Sequence, residues 1–409
     1  MVSSPSTRRR SVPPSPLSAL PTRSSTSSRR HLTQPEHGAS WSRLSPRSRP
    51  ACSPPRSCRL CESAMFPMTE HGRCTGSVRL AEQGGFWVGV TYAEQGGHSV
   101  VDGTQMFVDF QIPEEQTQPF PVVLIHGGGG QGLDWMTTPD GRPGWRTLLL
   151  QNGYAVYTVD RPGHGRSPVR PNGPSPLPAS AQALGAMFAG VDNPNHTQWP
   201  GSGQVDDPAL AQLVASQSVM PDLAVDHDVM RKRGAELLDR IGSAIIMTNS
   251  AGGPAGWLMA DARPELVRSI VALEPLGPSG PFPLPWGLTA VPLCYEPAVE
   301  TPLELGLTDI PASGSHPPMR LQTEPARRLS HLVGLPIAVV TGEQSFAVPM
   351  DTGTVAYLRQ AGCKRVDHLR LADLGIHGNG HLMMLEQNND EVLTVVLAWL
   401  RDNLQDGAA

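Results

Sequence analysis

Ser250 lies in Ile245-Ile246-Met247-Thr248-Asn249-Ser250-Ala251-Gly252-Gly253-Pro254-Ala255-Gly256-Trp257, an apolar run that gives way to small residues. A serine can act as a nucleophile when a strand, a sharp turn and a helix hold its hydroxyl clear of the backbone. Small neighbours let that strained turn form without a clash. The usual pattern is Gly-x-Ser-x-Gly. Here Thr248 replaces the first glycine and Gly252 keeps the second. A second signal is His126-Gly127-Gly128-Gly129-Gly130, directly after the apolar run 121–125. Glycines let backbone amides turn toward a developing oxyanion. Gly128 and Gly129 are therefore candidate donors, with the amide of Ala251 as the second arm. No Gly-Lys-Ser/Thr follows, so a phosphate-binding loop of that type is excluded. His126 reads as structural.

The serine needs a base, and two histidines stand late in the chain, in Gly375-Ile376-His377-Gly378-Asn379-Gly380-His381-Leu382-Met383-Met384. His381 precedes an apolar stretch and the last helical pattern, and is the expected base. A metal site using both has no carboxylate spacing to support it. The base in turn needs an acid to orient its ring. Glu274 follows the apolar run 270–273, Glu343 follows 336–340, and Asp351 lies a little further on. A buried strand-end carboxylate is costly without a partner, which makes both glutamates meaningful. On the residues alone, the choice between them stays open.

The elements that must hold these groups are short apolar runs at 121–125, 155–159, 244–247, 270–273 and 336–340, with a weaker one at 368–371. Such runs suit parallel strands covered on both faces. Between and after them, helical patterns span 145–152, 229–241, 255–260, 352–361 and 389–404. Two strands stand in front, at 105–112 and at 86–92, the latter bounded by the glycines of a twice-occurring Ala-Glu-Gln-Gly-Gly (81–85 and 93–97). This alternation predicts an α/β fold, a doubly wound and mostly parallel sheet, with ligands at the carboxyl ends of the strands. Residues 162–228, rich in Pro, Gly and Asn, break the alternation. With helical pieces at 179–188 and 208–216 they read as a cap-like insertion over the site.

Composition narrows the partners. The net charge of −5 divides unevenly: residues 1–61 hold eleven Arg and one acid, a charge of +10, and the remainder carries −15. An acidic body argues against nucleic acid or an anionic membrane as partner. No run of 18 apolar residues exists, so no membrane-spanning helix is expected. Residues 1–64 are rich in Ser, Pro and Arg without apolar periodicity, and read as a disordered tail or a misplaced start, with Met65 or Met68 the alternative start. Their composition also suits organelle targeting. A soluble, cytoplasmic protein is preferred over a targeted or secreted one. Cys58 and Cys61 form a CxxC near Cys52 and Cys74, but no fold-forming pattern surrounds them, and a zinc knuckle is not favoured.

Taken together these strings resemble a bacterial esterase subfamily of the α/β-hydrolases, first marked by two adjacent cysteines in the oxyanion loop. The resemblance covers roughly 76–404. It is densest at Ile125-His126-Gly127, Asp134-Trp135 and Thr137-Thr138-Pro139-Asp140-Gly141-Arg142, then at Gly163-His164-Gly165-Arg166-Ser167. It is strong again at the Ser250 elbow with Glu274-Pro275, and at His377-Gly378-Asn379-Gly380-His381-Leu382-Met383-Met384. It implies an α/β-hydrolase fold over 76–404. It also implies an acid after the strand that follows the nucleophile, which selects Glu274, and it selects His381 over His377. Gly128 and Gly129 occupy the positions of the adjacent cysteines, so their disulfide is absent. The implied activity is hydrolysis of a small-molecule ester by Ser250, His381 and Glu274 without metal or organic cofactor, in a homodimer. Lactone, amide or carbon–carbon bond hydrolysis on the same triad is the alternative. A non-catalytic ligand-binding homologue is the third reading.

Overall fold

The computed structural model describes residues 77–167, 180–282, 284–314 and 316–404. The expected tail at 1–64 and the CxxC lie outside them, as does 168–179 of the insertion.

Eight strands form one sheet: β1 (Leu80–Val88), β2 (Met106–Pro113), β3 (Val122–Ile125), β4 (Val156–Asp160), β5 (Ala244–Asn249), β6 (Val267–Leu273), β7 (Ile337–Thr341) and β8 (Val366–Arg370). Their order is β1-β2-β4-β3-β5-β6-β7-β8. β2 pairs antiparallel with β1 and β4, and every later pair is parallel. The apolar runs are buried on both faces because side chains alternate across a strand. Val123, Ile125 and Ile246 point into one core layer, and Val122, Leu124, Ile245 and Met247 into the other. Burying each such side chain contributes roughly 1.5–3 kcal/mol.

Helices cover both faces. Beside a short turn of helix α1 (Leu133–Met136), the chain forms α2 (Trp145–Gln151), α3 (Ala181–Phe188), α4 (Pro208–Ser216), α5 (Leu223–Ile241), α6 (Gly253–Ala262), α7 (Val348–Gln360) and α8 (Asn389–Leu404). α5, α6 and α7 supply Leu237, Trp257 and Leu358 to the first layer, and α2 and α8 supply Leu149 and Val396 to the second. α5 begins six residues earlier than its apolar pattern predicts. The Asp222 carboxylate caps it, accepting from the amides of Ala224 and Val225, which removes two of the unpaired donors every helix start carries. Gly242, at φ +83°, ends it.

The front of the sheet corrects the sequence reading. β1 runs straight through Gly84-Gly85 instead of starting after a glycine turn. A Cβ on Gly85 would lie 2.6 Å from the Phe107 ring of β2, so the glycines make room for that aromatic. The second copy of the pentapeptide forms a hairpin, Tyr92–Gln95 with His98–Val101, turning at Gly96 and Gly97 with φ +59° and +79°. One five-residue string thus takes two structures according to what packs on it.

Candidate active site

The sheet order places three strand ends side by side. Thr248 of β5 pairs with Ile125 of β3, Asn249 with Leu273 of β6, and Leu273 with Val340 of β7. Ser250, His126 and Glu274 therefore leave the sheet at one level. Ser250 and Glu274, at φ +53° and +45°, are the two non-glycine residues with positive φ among the described residues. Each such conformation costs on the order of 1–3 kcal/mol and persists only when the surroundings enforce it. Here they do: the Leu276 amide donates to the Ser250 carbonyl (2.9 Å) and the Glu274 amide to the Val340 carbonyl (3.1 Å).

The local glycines explain the unusual elbow. A Cβ on Gly252 would fall 2.3 Å from the His126 carbonyl oxygen, and one on Gly253 2.3 Å from Pro275. Thr248, where glycine is usual, is accommodated because Gly256 presents no side chain: a Cβ there would lie 3.3 Å from the Thr248 methyl.

His381 is buried, and its Nδ1 lies 2.5 Å from Glu274 Oε2. That carboxylate also accepts from the Gly342 amide (2.7 Å, at Oε1) and the Ser345 hydroxyl. His381 Nε2 has no hydrogen-bond partner among the described residues. It lines a pocket together with Ser250, Asn249, Gly127, Gly128, Gly130, Asp134, Phe188 and Leu385. Phe188 of α3 stacks on the imidazole at 5.5 Å, and Phe346 lies 4.6 Å from it.

The other candidates are elsewhere. Glu343 accepts from the Gly378 amide (3.0 Å) and approaches the exposed His377 at 3.3 Å. Those contacts, the amide foremost, hold its carboxyl below the usual range. Asp351 is fully buried against the Thr341 hydroxyl (2.6 Å). Burial, then the nearby Glu274 charge, push its carboxyl well above the usual range. Neither contacts His381.

On the glycine loop, Gly128 lines the pocket, and a Cβ built on it would lie 3.2 Å from the Ala251 methyl and 2.7 Å from Met220 Sδ. Gly129 lies outside the pocket lining. It turns at φ +71°, and its carbonyl accepts from Ser218 (2.6 Å). The space that side chains at 128 and 129 would fill is taken by Met220 and Gln217.

Several residues that hold the site carry no signal in the local sequence. The buried Arg161 donates to the carbonyls of Gly127 (2.8 Å) and Ala251 (3.5 Å) and pairs with Asp226 at 2.6 Å. Its amide donates to His126 Nε2 (3.0 Å), leaving His126 Nδ1 to donate to the Gly127 carbonyl (2.8 Å). Burial, then the Arg161 charge, hold the His126 imidazole neutral, well below its ordinary range. Glu386 pins the loop that carries His381, accepting from the Gly380 amide (2.9 Å), the Asn379 side chain (2.7 Å) and His196 (2.7 Å). Asp226→Ala would strand the Arg161 charge in the interior. The expected loss is about 3–5 kcal/mol, read as a lowered urea midpoint.

Among the described residues one group has metal-ligand spacing, Asp261, Cys294 and His331. None of the three lines the pocket, and Asp261 already accepts from the Cys294 amide and pairs with Arg231. Cys294 and Cys363 are both free thiols. No helix among the described residues is long and apolar enough to cross a membrane.

A family model for the alpha/beta hydrolase fold matches residues 121–290. The "Probable secreted lipase phiG" of a Fungal sp. strain is 39% identical over 312 residues, which cover 72% of this chain and 85% of that protein. Among solved structures, a novel bacterial esterase aligns with 80% of this chain and 98% of its own, with a TM-score of 0.56 at 24% identity.

Proposed function

The chain belongs to the α/β-hydrolase family, and on that premise we propose that it cleaves carboxylic esters through an acyl-enzyme on Ser250, with His381 as base and Glu274 as its orienting acid. The observation that carries this reading is the short pair between His381 Nδ1 and Glu274, with the opposite ring nitrogen unpartnered in the pocket that Ser250 lines. An Nδ1–H donated to Glu274 leaves the Nε2 lone pair free. Nε2 takes the Ser250 proton as Oγ attacks the ester carbonyl, and returns it to the leaving alcohol. Water then repeats the cycle on the acyl group. The oxyanion forms against the amides near Gly128 and Ala251, which cost no reorganisation at the moment of reaction because the Arg161 contacts already hold that loop.

The insertion after β4 acts as the cap, since Phe188 of α3 covers the imidazole and Met220 covers Gly128. The relative named a secreted lipase supports a lipid ester as substrate. It gives no support to the cytoplasmic preference drawn from composition. The direct test is a fluorophosphonate probe with mass-spectrometric mapping. Labelling of Ser250 is the expected result, and an unmodified Ser250 would overturn the reading.

A further inference from the structure

The pocket around Ser250 contains two titratable side chains among its lining residues, His381 and Asp134. Only the first has a part in the chemistry above. Asp134 sits on α1, just past the glycine loop, and its Oδ2 accepts from the Gln131 amide at 3.2 Å. A Cβ built on Gly130 would lie 2.2 Å from that oxygen, so the carboxyl packs directly against the loop backbone. It therefore lines the same pocket as Ser250 and Gly128.

The groups around it do not neutralise a charge there. On the β4 side lies a second carboxyl group, Asp160, whose Oδ1 accepts from the Gly132 amide (2.6 Å). Arg166, near Gly132, is already engaged by Asp160 (2.6 Å) and Asp109 (2.9 Å). α4 and the residue after it contribute Leu213 and Gln217, neither of which titrates, and His381 belongs to the same lining.

Resting on the Ser250 reading, we propose that Asp134 serves acyl transfer as an uncharged carboxylic acid beside the oxyanion, and that its ionisation shuts the reaction down. A carboxylate in that pocket opposes the negative charge growing on the substrate oxygen. The protonated form carries no such charge and presents an O–H donor. Burial, and beyond it the Asp160 charge, raise this carboxyl to about 7. The group therefore changes state in the middle of the working range.

The test is the pH profile of kcat/KM for a neutral ester such as p-nitrophenyl acetate, with the rate of fluorophosphonate labelling followed in parallel. In the wild-type enzyme the rate should be highest at or below pH 7. Above pH 7 it should then fall by up to about tenfold per pH unit. Asp134→Asn cannot ionise, and should hold its pH 7 value to pH 9. Asp134→Ser, which keeps an acceptor for the Gln131 amide, is the second variant should the first not fold. The wild-type labelling profile can overturn the proposal without either. A wild-type rate flat from pH 7 to 9, or a descending limb that survives in the folded variants, would overturn the proposal. Failure of Ser250 to label at any pH would instead remove the triad reading on which it rests.

Discussion

Ser250→Ala should lower kcat for short p-nitrophenyl esters by about 10⁵-fold or more, the scale on which loss of a triad nucleophile acts. The enzyme should stay folded. Ser250 holds its left-handed conformation through backbone contacts, the Leu276 amide on its carbonyl and the tight approach of Gly253 to Pro275. Alanine suffers the same backbone cost as serine at φ +53°, so the variant adds no new strain. Circular dichroism and the urea midpoint should match the wild type while turnover disappears. Retained turnover in a folded variant would move the nucleophile elsewhere.

Glu274→Gln should lower kcat by about 10⁴-fold, the effect expected when an imidazole is held in the wrong tautomer. A carboxylate accepts from Nδ1–H and from the Ser345 hydroxyl at one oxygen and from the Gly342 amide at the other. A glutamine has one acceptor and one donor for the same partners. Either the amide nitrogen faces Nδ1 and reverses the tautomer, or it faces a backbone amide that can only donate. Glu343→Gln is the control. That side chain is a third exposed and contacts His377 and the Gly378 amide but not His381, so kcat should change by no more than a few-fold. A larger loss in Glu343→Gln than in Glu274→Gln would assign the acid to β7 instead of β6. The two variants are read side by side in steady-state kinetics at one pH.

Much of the fold was legible because its signals are local. Short apolar runs predict buried parallel strands, and the six such runs coincide with six of the eight strands. α8 was bounded correctly from its apolar period alone. The candidate nucleophile, the candidate base and the glycine loop were legible for a related reason, since each occupies a strand end whose chemistry shows in neighbouring residues. What escaped was contextual. Gly84-Gly85 and Gly96-Gly97 belong to identical pentapeptides. The rings of Phe107 and Phe110 decide that the first pair lies within a strand, and their absence leaves the second pair free to turn.

By itself, then, the sequence determined the class of sheet and the residue types at its carboxyl edge, because periodicity and short motifs lie within a few residues of one another. It leaves Glu274 and Glu343 open, and only the family resemblance separates them. Both follow an apolar strand, and the pattern of a strand says nothing about its neighbour. The pairing of His381 Nδ1 with Glu274 rather than Glu343 is a tertiary fact, made by sheet order and by the Glu386 contacts that fix the His381 loop, across 107 and 6 residues of chain. The roles of Arg161 and Phe188 are of the same kind. A buried guanidinium becomes a clamp on the glycine loop only when β4, α5 and the elbow converge on it, and Phe188 meets the imidazole only because α3 packs beside it. Asp134 completes the contrast. The string Asp134-Trp135 is plain to read, but burial and the proximity of Asp160 set its proton affinity, and those exist only in the folded chain.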